Sequence, residues 1–322
     1  MLGGAGYIGS VVAAELMQQG IDVVIYDNLS TGHEEALPEG ATIIHGDSAD
    51  HSVLKNVLNE HHVEAVMHFA ASTLVGESMQ WPGLYFSNNV ANTINVLNTM
   101  LEAGVKNFVF SSSCAVYGTP DRVPIDESTP THPNNPYGES KLMIEQMLRW
   151  YSSQNDLHYA SLRYFNAAGA TEAAGEDHYP ETHLIPLTLN AVLGFGPPLT
   201  IYGTDYPTLD GTCVRDYVHV LDLAAAHILA LQKVLSGDNV ICNLGNGKGF
   251  SVREVVDTVS RIAGKRTPVV EGAPRLGDPA VLVASSDNAR QTLRWQPKHT
   301  ELGAIIESAL RWRVNHPHGY QK

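Results

Sequence analysis

Hydrophobic and polar positions alternate between two periods along the first half of the chain. Short apolar runs of four or five residues, typical of buried strands, cover Val23–Tyr26, Thr42–His45, Ala65–Phe69, Phe108–Ser111 and Ala160–Tyr164. Between them lie stretches with apolar residues three and four apart, which predict helices. These are Val11–Gln19, Ser52–Glu60, Asn88–Glu102 and Tyr137–Tyr151. Gly20 and Gly104 follow the first and third, where a helix ends in a left-handed residue. Strand and helix in alternation predict a parallel sheet with helices on both faces.

The texture changes near residue 166. Residues 167–214 are rich in Gly, Pro, Thr and Asp, with one helical run at Leu184–Leu193. Asp222–Leu235 predicts a further helix. Ser251 and Glu254 form a capping box that opens another, and Gly264 closes it. Thr300–Asn315 is a last amphipathic helix. The expected fold class is α/β: a Rossmann-like doubly wound parallel sheet with a smaller mixed α/β substrate domain. Residues 1–166 form the first part and 167–322 the second, with segments around 215–250 returning to the first.

Charge narrows the partners. The 322 residues carry 20 Lys and Arg against 34 Asp and Glu, a formal net charge of −14, so phosphate backbones are repelled and nucleic acid is not expected. Cys114, Cys213 and Cys242 are odd in number, far apart and without metal spacing; free thiols, a reducing cytoplasm and no bound metal are expected. No apolar run is long enough to cross a bilayer, and the glycine cluster at the start leaves no room for a targeting segment, so no membrane association is expected.

That cluster carries the first chemistry. Gly3, Gly6 and Gly9 are spaced to give a tight turn, a close approach to a pyrophosphate and close helix packing, with the free N–H groups of the following helix facing the phosphates. A helix and a strand follow, and the strand ends at Asp27. A carboxylate there accepts from a ribose 2′-OH and repels a 2′-phosphate, which favours NAD over NADP. Only Met1 and Leu2 precede the glycines, too few for a full first strand. Either residues are missing ahead of them or the central strand is stunted.

Tyr137 and Lys141 are four apart at the start of a helix opened by Asn134-Asn135-Pro136, which places them on one face. A tyrosine base needs help, because its ordinary pKa is about 10. An ammonium one turn away is expected to lower it, and the helix dipole adds to this. Lys141 can also reach a nicotinamide ribose. Ser113, after a buried strand, can hydrogen-bond the same reacting oxygen. Three serines after Phe110 also read as a plain turn.

These features together resemble the extended short-chain dehydrogenase/reductases. The finer resemblance is to the UDP-glucose 4-epimerase family. HFAA (68–71), SNNV (87–90), SSSCAVYG (111–118), NPYGESK (135–141), RYFNAAGA (163–170), GTDYPTLDGTCVRDYVHV (203–220) and NLG (243–245) follow its segments in order over nearly the whole chain. The resemblance implies NAD as cofactor, a UDP-hexose as substrate and a homodimer. It implies reversible oxidation at C4 through a 4-keto sugar, interconverting UDP-glucose and UDP-galactose. Ser113, Tyr137 and Lys141 match its catalytic positions. Tyr7, Ile8, Asp27, Asn28, Asp47 and Ser48 match its NAD contacts, as do Phe69, Ala70, Asn88 and Tyr164. Asn166, His183, Leu184, Tyr202, Arg215 and Asp278 match positions that line the UDP-sugar. A guanidinium at Arg215 suits a diphosphate, although an ion pair with Asp216 is equally compatible with the local sequence.

There are departures. The segment APRLGDP (273–279) carries only Arg275 where the family has two arginines, and Thr73 stands where some members have lysine. Val281, three residues after the Gly-Asp of that segment, stands where a tyrosine beside the hexose C2 group excludes N-acetylated sugars. Related 4,6-dehydratases place an Asp-Glu pair where this chain has Cys114 and Ala115, and NAD-sensing regulators lack the Tyr/Lys pair.

Overall fold

The computed structural model describes residues 1–275 and 278–320. The glycine loop leads into α1 (Tyr7–Gln18). There follow β1 (Val24–Asp27), β2 (Thr42–His45), α2 (His51–Glu60) and β3 (Ala65–His68). Two short helices, α3 (Val75–Gln80) and α4 (Pro82–Tyr85), precede a π-helical turn (Phe86–Ala91) and α5 (Asn92–Glu102). Then come β4 (Asn107–Ser113), α6 (Pro136–Asn155) and β5 (His158–Tyr164).

The central strand position is filled by very little chain. Leu2 bridges Tyr26 on one side and His68 on the other, both parallel. Its N–H donates to Met67 O (2.9 Å), and its carbonyl accepts from Phe69 (2.8 Å) and Ala70 (3.2 Å). Tyr26 N donates to Met1 O (2.8 Å). Two residues thus join β2–β1 to β3–β4–β5 as one parallel surface.

Alternation along β4 shows why the surface is covered twice. Phe108 and Phe110 enter one core with Leu54 and Leu58 of α2, Leu97 of α5 and Ile144 of α6. Val109 enters the other core with Val12 and Leu16 of α1. That second core is completed from far along the chain.

After β5 the chain forms β6 (Asn166–Ala168), α7 (Leu184–Leu193), β7 (Leu199–Tyr202), β8 (Val214–His219), α8 (Val220–Leu235) and β9 (Val240–Leu244). β9 pairs with β5, and α8 packs against α1 through Leu223 and Ala224. Beyond lie β10 (Gly249–Ser251), α9 (Val252–Ala263), β11 (Val269–Gly272), β12 (Val281–Leu282), α10 (Asp287–Thr292) and α11 (Leu302–Asn315). α9 opens on the capping box read from the sequence: Ser251 Oγ accepts from Glu254 N (3.0 Å), and Ser251 N donates to Glu254 Oε2 (2.7 Å).

The smaller part centres on β8, which pairs with β6, β10 and β12, while β7 pairs with β11. α7, α9 and α11 cover it through Leu189, Val255, Val259 and Ile305. The sequence pattern did not show β8. Its residues Val-Arg-Asp-Tyr-Val-His put two charges inside a strand, and both are held by partners from distant segments.

Candidate functional site

The glycine loop is shaped by close approach. Gly3 has φ +70°, and a Cβ there would stand 2.4 Å from Ala70 N. A Cβ at Gly9 would stand 2.5 Å from Gly3 O, so α1 meets the loop without room for a side chain. At Gly6 a Cβ would meet nothing nearer than Gly3 O at 3.5 Å. The loop therefore presents an open face over the first turn of α1, whose N-cap Gly6 offers no side-chain hydrogen bond. A pyrophosphate fits that face, because helix N–H groups and dipole both favour an anion there.

Asp27 closes β1 and is 8% exposed. Its carboxylate accepts from Ala5 N (2.8 Å) and Leu29 N (2.9 Å), so it holds the glycine loop itself. Lone pairs remain for a ribose. Asn28 donates to Asp47 Oδ2 (2.8 Å), Tyr26 donates to Asp47 O (3.0 Å), and Asn95 donates to Ser48 O (2.7 Å). The four candidate contacts at 27, 28, 47 and 48 thus form one linked rim at the carboxyl ends of β1 and β2. Phe69 and Ala70 follow β3 and Tyr164 ends β5, on the same edge of the sheet. Ile8 packs from α1 against the core that holds α8. Tyr7 turns toward the smaller part and donates to Gly169 O (2.6 Å). Asn88 lies in the π turn and donates to Ser72 Oγ (3.1 Å).

Ser113 ends β4 and caps the short 3₁₀ turn Cys114–Tyr117, accepting from Ala115 N (3.2 Å). Asn135 caps α6 by accepting from Gly138 N (2.8 Å), with Pro136 in the first turn. A Cβ at Gly138 would stand 2.4 Å from Ala115 O, so only glycine lets the start of α6 lie directly on the turn after Ser113. That contact brings Tyr137 to Ser113. Lys141, one turn on, donates to Ser111 O (2.8 Å), with its Nζ 5.8 Å from the centre of the Tyr137 ring.

The electrostatics correct one expectation. Burial raises the Tyr137 pKa well above the ordinary value, opposed by a hydrogen bond with Ser113. Lys141 does not lower it within the protein alone. Burial pushes the lysine itself down to about 7, so its charge is only partial at neutral pH.

Four supporting residues escaped the sequence reading. Glu145, fully buried one turn beyond Lys141, accepts from Ser112 Oγ (2.6 Å) and Arg163 Nε (2.9 Å). Arg163 reaches on to Tyr117 OH (2.7 Å). The repeat Tyr137, Lys141, Glu145 at intervals of four was the available signal. Asn89, also buried, donates to Ser72 O (3.0 Å) and Ser140 Oγ (3.0 Å), tying the loop after β3 to α6. His227 of α8 meets Ser111 Oγ (3.2 Å) and packs against Phe69 and Tyr164. Burial lowers its pKa to about 4, so the ring beneath the site is neutral. Nothing in the local sequence distinguishes it from a core histidine.

The second cluster sits on the smaller part. Arg215 of β8 pairs with Asp278, not with Asp216, because neighbouring strand residues face opposite ways. Asp216 points into the interior and accepts from Asn246 N (2.8 Å), Gly247 N (3.0 Å) and Ala284 N (3.1 Å). Burial raises it to about 6 against those bonds. Asn166 donates to Asp216 O (2.9 Å). Arg275 stacks over Tyr202, 4.1 Å from the ring centre. Val281 pairs with Val214, and the next residue, Leu282, packs against the same small core as Cys114. Leu276 and Gly277 of the same segment lie outside the described residues. Leu184 opens α7. His183, just ahead of it, meets Glu176 (2.8 Å) and Glu181 (3.0 Å). The substrate-side candidates therefore form two groups, one around β8 and β12 and one at the start of α7.

A parallel sheet wound on both faces, with a glycine cradle over the first helix and an acidic residue at the end of the next strand, defines a Rossmann-type dinucleotide protein. Comparison with known proteins agrees. The model of the NAD dependent epimerase/dehydratase family matches residues 1–245. A UDP-glucose 4-epimerase of Halalkalibacterium halodurans is 49% identical over 321 residues, 99% of this chain and 96% of that protein. A crystal structure of a UDP-glucose 4-epimerase superposes with a TM-score of 0.97 at 49% identity, covering 100% of this chain and 98% of the other. The UDP-glucose 4-epimerase of Brucella ovis in complex with NAD gives 0.94 at 44% identity, covering 100% and 98%. The chain belongs to the NAD dependent epimerase/dehydratase family, and its cofactor is NAD.

Proposed function

We propose that this chain interconverts UDP-glucose and UDP-galactose by inverting C4, with Ser113, Tyr137 and Lys141 at the reacting carbon. Residues 1–166 serve the cofactor and 167–322 mainly the nucleotide sugar. The observation that carries the reading is the contact of Gly138 with Ala115 O, which seats Tyr137 on Ser113 beside the dinucleotide edge. Bound NAD supplies a positive charge and the acceptor and donor for the C4 hydride. Tyr137 removes the proton from the sugar 4-OH and later returns it. Ser113 hydrogen-bonds the same oxygen, and Lys141 stands one turn away with the partial charge that burial leaves it.

Inversion requires the 4-keto sugar to present its other face while the nucleotide stays fixed. Strong holds therefore belong at the diphosphate, where Arg215 and Arg275 lie, and few at the hexose. Cys114 and Ala115 cannot perform the acid–base work of a 4,6-dehydratase, which favours the epimerase. Purified protein given UDP-galactose without added reductant will form UDP-glucose catalytically. Product only in proportion to NAD consumed indicates a dehydrogenase instead.

The assembly is read as a homodimer. Met143 and Trp150 of α6 and Ile94 of α5 are exposed on two helices joined by the Tyr151–Asn98 hydrogen bond. A partner of the same kind would cover them, and sedimentation of Trp150→Glu as a monomer checks it. The three free cysteines fit a cytoplasmic setting. Among the described residues no helix is long and apolar enough to cross a membrane.

A further inference from the structure

The loop between β6 and α7 gathers four ligand-type side chains. Glu176, His178, Glu181 and His183 each offer one donor atom, and these atoms lie within 4.8 Å of one another. His183 Nδ1 stands 2.8 Å from Glu176 Oε1 and 3.0 Å from Glu181 Oε1. His178 Nδ1 stands 3.5 Å from Glu176 Oε1 and 3.6 Å from Glu181 Oε2. A tetrahedral ion with bonds of about 2.0–2.2 Å separates its donors by roughly 3.4 Å, so only small shifts are needed.

Two features ask for a cation. The glutamate side chains are 8% and 12% exposed, and the two close carboxylates draw positive charge, which His178 and His183 supply when protonated and an ion could supply in their place. Among the described ion pairs, neither meets a lysine or arginine. His178 Nδ1 is buried without a hydrogen-bond partner, although it faces both carboxylates. A buried nitrogen that faces two carboxylates without a hydrogen bond calls for a partner, and an ion between them would be one.

We propose that these four side chains form a binding site for a divalent transition-metal ion, best fitted by Zn²⁺. Two imidazole nitrogens and two carboxylate oxygens suit that ion, and four protein ligands leave no open position, so the role is structural. The ion would fasten the loop at the point where it meets the cofactor side. His178 packs edge-on to Tyr7 with ring centres 6.3 Å apart, and Tyr7 belongs to the first turn of α1. It would also fix His183, which leads directly into α7. The sequence reading expected no metal, because it searched cysteine spacing and not this His/Glu loop.

The test uses the full chain, dialysed against a chelator and then equilibrated with Zn²⁺, or with Co²⁺ as a spectroscopic substitute. After desalting, metal analysis will find one ion per chain. Co²⁺ will give the strong visible absorption of a tetrahedral site, and Zn²⁺ will raise the melting temperature by several degrees. Glu176→Gln/His178→Gln will lose all three effects while still binding NAD, which shows that it is folded. His178→Gln alone serves the same comparison if the double variant does not fold. A wild type that retains no ion overturns the proposal. So does a variant that retains the same ion, which places the metal elsewhere.

Discussion

The proposed site has two ends, one for proton transfer and one for the anion, and they are built to different standards. At the proton-transfer end, Ser113, Tyr137 and Lys141 stand on a seven-residue strand and a twenty-residue helix, and all three are at most 9% exposed. Behind them the Glu145–Arg163 pair, Ser112 and Tyr117 form a closed network. At the anion end, Arg215, Asp278 and Arg275 stand on strands of two to six residues or on the segment between them, and Tyr202 is 42% exposed. Proton transfer depends on sub-ångström placement, and the residues proposed for it stand on long, buried elements. Phosphate recognition tolerates more, and the residues proposed for it stand on short pieces.

Tyr137→Phe breaks the first end most directly. It is expected to slow the chemical step by about 10²–10⁴-fold while UDP binding stays nearly unchanged, read from turnover and from a nucleotide titration. A loss below tenfold removes Tyr137 from the reacting oxygen. Arg163→Met leaves Glu145 buried without its counter-charge. Denaturant unfolding should show a loss of about 3–5 kcal/mol. An effect under 1 kcal/mol means the network does not brace α6.

Lys141 gives a subtler contrast through pH. Its folded-state pKa, about 7, lies below the unfolded value of about 10.4. Between these values the unfolded chain holds a proton that the folded chain lacks. Stability from this group therefore rises with pH across that window, by up to about 1.4 kcal/mol per unit. Unfolding of nucleotide-stripped protein should show the rise, and Lys141→Met should flatten it. Parallel curves for the two proteins rule out the buried lysine as its source.

The smallest effect belongs to the hexose position next to the anion end. Val281, smaller than tyrosine, is proposed to leave room for an N-acetyl group. Wild type should then turn over UDP-N-acetylglucosamine to some degree, and Val281→Tyr should lose that activity selectively, by about 10–200-fold in relative efficiency. Equal loss of both activities shows that Val281 is not the gate.

The same contrast explains what the sequence made visible. Helix and strand periods located α1, α2, α5, α6 and β1 to β5, while α3 and α4, six and four residues long, are too short to show a period. The capping box of α9 and the left-handed glycines are local signals, readable from a few residues. The smaller part depends on pairing between distant segments, as when β8 takes partners from β6, β10 and β12. Its candidate residues were legible only through family resemblance. Asp27 was read as a ribose acceptor from its place after the strand, but its hold on Ala5 N was not read, because that contact needs the loop's three-dimensional path. Asn89 and His227 left no local signal, since one depends on a π turn and the other on a helix that returns to the sheet late in the chain.

The central claim is that one enzyme molecule removes the C4 hydrogen of the sugar and gives the same hydrogen back on the other face. UDP-glucose deuterated at C4 tests this in one reaction. The account predicts UDP-galactose that retains the deuterium at C4, with no label in the solvent. Product that has exchanged its C4 hydrogen with water would contradict it.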